Sequence, residues 1–162
     1  LMIIPELLKV RRFLPLFITQ FLGAFNDNAF KNALVILITY QAAEAAGGSA
    51  QVLVTVAAGL FMLPYLLFSA TAGQMADKYD RSKIAHCVKV VEIGLMILAA
   101  IGLLTGSIYF LLVVLFGMGV HSTFFGPIKY ALLPQHLKDK ELLPGNAYIE
   151  AGTFLAILTG TI

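Results

Sequence analysis

Charge is scarce in this chain. Only 12% of its residues are charged, against roughly 25% in a soluble domain, while 59% are hydrophobic and the mean hydropathy is +0.88. That balance excludes an ordinary soluble domain and indicates an integral membrane protein. The strict alternation of membrane strands is absent as well, which excludes a transmembrane β-barrel. A single cysteine, Cys87, permits no internal disulfide, and its place in an apolar run predicts a small core hydrophobe. No serine, cysteine or histidine stands with a partner for nucleophilic chemistry, and His86 and His121 lack metal-ligand spacing. Neither an active site, a metal centre nor a cofactor is therefore expected. A basic face interleaved with aromatics is also missing, so the net charge of +2 reflects membrane topology and excludes nucleic acid as a partner.

What is present is a series of apolar runs at residues 13–40, 51–76, 84–104, 107–126 and 144–162. Each complete run reaches the roughly 20 residues a helix needs to cross a bilayer. The pattern predicts an all-α membrane bundle of five spans, the fifth cut short. The chain starts at Leu1 without an initiator methionine and stops inside an apolar run, as expected of a fragment of a longer membrane protein. No small-residue cleavage site follows the first run, so that run is expected to stay in the mature protein as a helix.

Lysine and arginine set the orientation. Lys9, Arg11 and Arg12 precede the first span, Lys78, Arg81 and Lys83 lie between the second and third, and Lys129, Lys138 and Lys140 lie between the fourth and fifth. The alternate loops, 41–50 and 105–106, carry none, which places the start of the chain in the cytoplasm. Thr105-Gly106-Ser107 reads as a tight hairpin, and Ala45-Ala46-Gly47-Gly48-Ser49 as a flexible external connection. Residues 128–143 alternate leucines with charges and read as an amphipathic cytoplasmic segment interrupted at Pro134, serving either as an interfacial cover or as a contact for lipid headgroups. Gly152, Ala156 and Gly160 recur every four residues, a small-residue face that wants a helix partner. That partner is expected from the missing second half, without which the fragment should form no functional carrier.

Asp27 is the costliest residue of the chain. It lies inside the first apolar run between Asn26 and Asn28, one turn before Lys31, and a carboxylate near a bilayer centre is retained where protein partners, water or substrate receive it. At 3.6 residues per turn Gln20, Ala24, Asp27, Asn28 and Lys31 share one face, a polar stripe fit to line a cavity. Lys89 and Glu92 in span three, His121 in span four, and Asn146 and Glu150 in span five add further polar groups. For Lys89 with Glu92, a self-contained ion pair and a place in the cavity are both open. For Glu150, headgroup binding and locking to a base of the missing half are both open.

Gly73-Gln74-Met75-Ala76-Asp77-Lys78-Tyr79-Asp80-Arg81-Ser82-Lys83 joins spans two and three. It resembles the loop motif of the major facilitator superfamily, with Gly73, Asp77, Lys78 and Arg81 matching, Asp80 standing at the usual glycine and Ser82 at a usual base. The resemblance implies a gating charge network for these matching residues. Gln20 to Asn28, Gly73 to Asp77, Pro127 to Leu133 and Asn146 to Thr153, in that order, resemble the bacterial lysophospholipid transporter family, some members of which are fused to an acyltransferase and an acyl-carrier-protein ligase. The resemblance implies twelve helices in an inner membrane and inward movement of lysophosphatidylethanolamine or lysophosphatidylglycerol for re-acylation.

Under that expectation Gln20, Asp27 and Asn28 meet the headgroup, Lys31 its phosphate, and Lys89, Glu92, His121 and Glu150 complete the polar interior. Phenylalanines such as Phe25, Phe30, Phe61, Phe124 and Phe125 are candidates for the acyl tail, each with ordinary packing as its alternative. Two rivals stay open: a proton-coupled exporter of small apolar compounds, and a membrane anchor for a fused acyltransferase. The buried charges argue against the anchor.

Overall fold

The computed structural model describes residues 4–44 and 50–162, with side chains from Leu7 to Gln41 and from Ala50 onward. The expected external connection 45–49 lies outside the described residues. A short 3₁₀ helix, Ile4–Lys9, leads into five long helices: α1 (Leu14–Glu44), α2 (Ala50–Lys78), α3 (Arg81–Thr105), α4 (Ile108–His136) and α5 (Asp139–Thr161). No strand occurs among the described residues, as the runs without alternation predict. By length and composition α2, α3 and α4 can cross a membrane. Helices α1 and α5 have the length, 31 and 23 residues, but Asn26, Asp27, Asn28 and Lys31 in one, and Asp139, Lys140, Glu141 and Glu150 in the other, dilute their apolarity.

The helices divide into two compact units, one of the described residues up to Ala29 with Ile128–Ile162, the other of Phe30–Pro127. In the second unit Phe30, Leu34 and Ile38 present one face of α1, spaced four residues apart. They join Ala57 and Phe61 of α2, Ala99 of α3, and Leu111, Leu112, Val114, Leu115 and Met118 of α4 in one core. The outward surface is no less apolar: Leu66 is 82% exposed, Leu104 88% and Val113 70%. Side chains of this kind facing outward on long helices suit hydrocarbon and not water. Gly119 brings α4 against α2, where a Cβ would stand 2.5 Å from the Phe61 carbonyl oxygen and 3.0 Å from Pro64 Cγ. The hairpin at Thr105-Gly106-Ser107 closes α3 with Gly106 at φ 65°, and Gln41 Nε2 donates to the Gly106 carbonyl at 2.7 Å.

The first unit packs Leu7, Phe13, Leu133, Leu137 and Ile149 together. Here the small-residue face of α5 already has its partner. A Cβ on Gly160 would lie 2.6 Å from the Phe25 carbonyl oxygen, and one on Gly152 2.6 Å from Phe17 Cε2, so the counterpart is α1 of the same chain and not a missing half. The sequence showed that the face needed a neighbour, but small residues do not name which one.

Residues 128–143 depart from expectation as well. Helix α4 runs through Pro127 and Pro134 to His136, and the break falls at Leu137-Lys138. A proline forfeits one ladder bond and can stay within a helix held by its neighbours. The break is set instead by Lys138, extended at φ −74° and ψ 157°, whose N–H donates to Glu141 Oε2 at 2.9 Å, one half of a capping box. Arg12 Nη2 donates to both oxygens of the same buried carboxylate, at 2.8 and 2.7 Å. Cys87, expected in the core, is exposed on α3; an apolar run in a membrane helix does not reveal which of its faces is inward.

Candidate functional site

Within residues 30–127 the structure joins three of the expected polar residues. Glu92 lies near the middle of α3, and its Oε2 accepts from Lys89 Nζ at 2.6 Å, one turn earlier on the same helix. The same oxygen meets His121 Nε2 of α4 at 3.1 Å. Side-chain exposure is 3% for His121, 11% for Glu92 and 22% for Lys89. The Lys89 ammonium lies over the Phe125 ring, 4.2 Å from the centroid, which supplies a second partner. Ser122 Oγ stands 3.4 Å from His121 Nδ1. The ion pair weighed from the sequence is present, and a residue of a second helix extends it into a triad. Also in this unit, Lys31 Nζ lies over the Phe61 ring at 4.3 Å.

In the other unit Gln20 Nε2 donates to Thr153 Oγ1 at 3.0 Å, linking α1 to α5. Asp27 is half-buried on α1. Asn28 Nδ2 donates to the Ala24 carbonyl of its own helix at 2.7 Å, which leaves its second N–H and its amide oxygen for other partners. Glu150 accepts from the Tyr130 hydroxyl and lies 3.8 Å from Lys129 Nζ, which sits over the Tyr130 ring at 4.4 Å. A base of the chain's own fourth helix thus meets Glu150. The sequence reading passed over Lys129 and Tyr130 as loop residues. The available signal was a buried-type helix continuing past Pro127, which turns that supposed loop into a helical face opposite α5.

In the segment between α2 and α3, Asp80 caps α3 by accepting from the Ser82 N–H at 2.9 Å. Its backbone, at φ −60° and ψ 111°, needs no glycine, which explains how Asp80 replaces one. Arg81 Nε donates to the Ala76 carbonyl at 3.1 Å, binding the last turn of α2, where a cation also opposes the helix dipole. Asp77 is exposed, and Lys78 Nζ lies 5.6 Å from the Tyr79 ring centroid. At Gly73 a Cβ would meet no atom within 4 Å, so no close contact explains that glycine among the described residues.

No group of three His, Cys, Asp or Glu able to hold a metal occurs among the described residues. An apolar hollow of about 210 Å³ lined by Pro144, Ala147, Tyr148 and Ala151 holds none of the charged candidates.

The family model described as Major Facilitator Superfamily matches residues 16–162. The lysophospholipid transporter LplT of Salmonella enteritidis PT4 is 33% identical over 149 residues, 92% of this chain and 34% of that protein. Those of Salmonella paratyphi B and Salmonella newport are 32% identical over the same extent. The chain thus spans about a third of the length of the relatives it matches. The likeness to lysophospholipid transporters read from the four sequence blocks is borne out by these relatives. No solved structure matches the chain.

Proposed function

Since the chain belongs to the major facilitator superfamily, we propose that it is part of a carrier that moves lysophosphatidylethanolamine or lysophosphatidylglycerol inward across a bacterial inner membrane for re-acylation. The observation that carries this reading is likeness to proteins named lysophospholipid transporter over 92% of the chain. The one-sided bias of lysine and arginine supports a cytoplasmic N-terminus, and α1 and α5 act as spans beside α2, α3 and α4. Transport proceeds by alternating access, with a further set of helices as the second half and an acyltransferase, fused or associated, as the consumer of the lipid.

Asp27 is assigned the ammonium or hydroxyls of the headgroup, with Gln20 and Lys31 as further polar contacts on α1. The gating role goes to Asp77 and Arg81, supported by Arg81 bridging from α3 to the final turn of α2. The contact of His121 with Glu92 favours one second reading, a proton-coupled exporter of small apolar compounds. Uptake of labelled lysophosphatidylethanolamine by cells making the full-length parent, compared with Asp27→Ala and Asp27→Asn at matched expression, tests the proposal. Uptake by the parent and loss in both variants is expected; no uptake by the parent would leave the exporter as the better reading.

A further inference from the structure

We propose that the start of the chain and the start of α5 together hold an anionic, two-tailed phospholipid of the surrounding bilayer. Its phosphate meets Lys9, Arg11, Lys138 and Lys140, and one acyl chain lies along α5 in the hollow beside Tyr148. The inference rests on the chain lying in a membrane and not on which lipid it carries.

The fold joins two basic stretches that are far apart in the sequence. Arg12 Nη2 donates to both oxygens of Glu141, at 2.8 and 2.7 Å, and the preceding 3₁₀ helix, Ile4–Lys9, packs on α5. Leu7 and Phe13 are buried with Leu133, Leu137 and Ile149, which anchors residues 7–13 to the end of α4 and to α5. Lys9 and Arg11 therefore stand within three residues of one end of that ion pair, and Lys138 and Lys140 within three of the other.

What is left over is positive. All four of these side chains are exposed, and none enters an ion pair among the described residues. Glu141 is already satisfied by Arg12 and by the Lys138 N–H. Across residues 1–13 and 138–141 five bases face Glu6, Asp139 and Glu141, a net charge of +2. Helix α4 is long and apolar enough to cross a membrane and ends at His136, so the cluster begins just beyond a span. A basic cluster so placed attracts acidic headgroups, each base strengthening binding about fivefold.

The apolar part of the site runs on from the basic part. Pro144, Ala147, Tyr148 and Ala151 line the hollow of about 210 Å³; they follow Lys140 by four, seven, eight and eleven residues, along one face of α5. From Lys140 to Ala151 that face extends about 16 Å at 1.5 Å per residue, on the scale of an acyl chain. Ala147 and Ala151 are exposed, so the hollow is open to a lipid arriving from the bilayer. Tyr148 also meets Phe13 edge to face at 6.4 Å, which ties the wall of the hollow to the segment carrying Arg11. A cationic end with an apolar channel leading from it fits a phospholipid; a free phosphate would leave the channel unused.

The test reconstitutes the full-length parent in vesicles of phosphatidylcholine with a minor share of phosphatidylglycerol, extracts it in mild detergent and counts the retained lipids by mass spectrometry. Wild type is compared with Arg11→Gln, the double variant Lys138→Gln with Lys140→Gln, Asp139→Asn, and Ala147→Phe, which fills the hollow; helix content and a monodisperse elution profile establish that each is folded. Wild type should retain phosphatidylglycerol beyond its share in the vesicles. Affinity for it should fall about fivefold in Arg11→Gln and further in the double variant. Asp139→Asn should raise it, a gain that misfolding cannot imitate. Retention of phosphatidylglycerol no better than phosphatidylcholine, or charge variants that hold it like wild type, would overturn the site. So would retention unchanged in Ala147→Phe, as when another segment of the parent fills the hollow. Displacement by lysophosphatidylglycerol at lower concentration than by phosphatidylglycerol would also overturn it, making the place a station of the transported lipid. None of these readouts needs lysolipid movement, so the test stays in force even if the lysolipid reading falls.

Discussion

Glu92 Oε2 serves two helices at once, holding the Lys89 ammonium and the His121 ring within hydrogen-bonding distance. Removing one partner of such a pair strands the other charge, at a cost of about 3 kcal/mol or more. Lys89→Met should therefore destabilise the full-length protein strongly, and Lys89→Met combined with Glu92→Gln should recover much of the loss. Thermal unfolding in detergent of the single and double variants checks this by a double-mutant cycle; simple additivity would contradict the coupling. The three-residue spacing of Lys89 and Glu92 made their pairing legible in the sequence. His121 as the third member was not, because contact between two helices depends on their rotation about their own axes, and apolar runs with little amphipathic bias leave that rotation open.

Among elements, glycines separate by what faces them. On α2, Gly59 has no atom within 4 Å of an added Cβ, whereas Gly160 and Gly119 would each meet a backbone carbonyl oxygen near 2.6 and 2.5 Å. At Gly152 the three nearest atoms all belong to the Phe17 ring, a side chain that can give way. Gly59→Ala should stabilise α2 by up to about 1 kcal/mol, while Gly160→Ala and Gly119→Ala should cost about 1 to 3 kcal/mol, with Gly152→Ala between. Melting temperatures of the four variants give the order. The start of α5 supplies a separate test: Glu141→Ala removes the acceptor for the Lys138 N–H and the partner of Arg12, and should cost about 2 kcal/mol. Its role was hidden from sequence reading because Pro134 offered a more conspicuous breaker, and a carboxylate three residues after Lys138 resembles any surface charge.

For the whole molecule, membrane class and helical architecture followed from scarce charge and from runs of spanning length, and the loop motif with the four sequence blocks identified the superfamily. The packing of α5 on α1 and the helical course of residues 128–136 were not legible, since neither small-residue spacing nor proline specifies a neighbour. Orientation has its own test. In a Cys87→Ser background, Ser82→Cys and Ser107→Cys place thiols at exposed positions at opposite ends of α3. A membrane-impermeant thiol reagent added outside intact cells should label the second and spare the first; the reverse pattern would invert the topology.

The central claim is that the parent of this chain carries single-tailed phospholipids. It is tested most directly by adding labelled lysophosphatidylethanolamine and its two-tailed counterpart to vesicles containing the purified full-length protein and following each to the inner leaflet. The account predicts protein-dependent movement of the lysolipid and little of the two-tailed lipid. Equal movement with and without protein, or no preference for one tail over two, would contradict it.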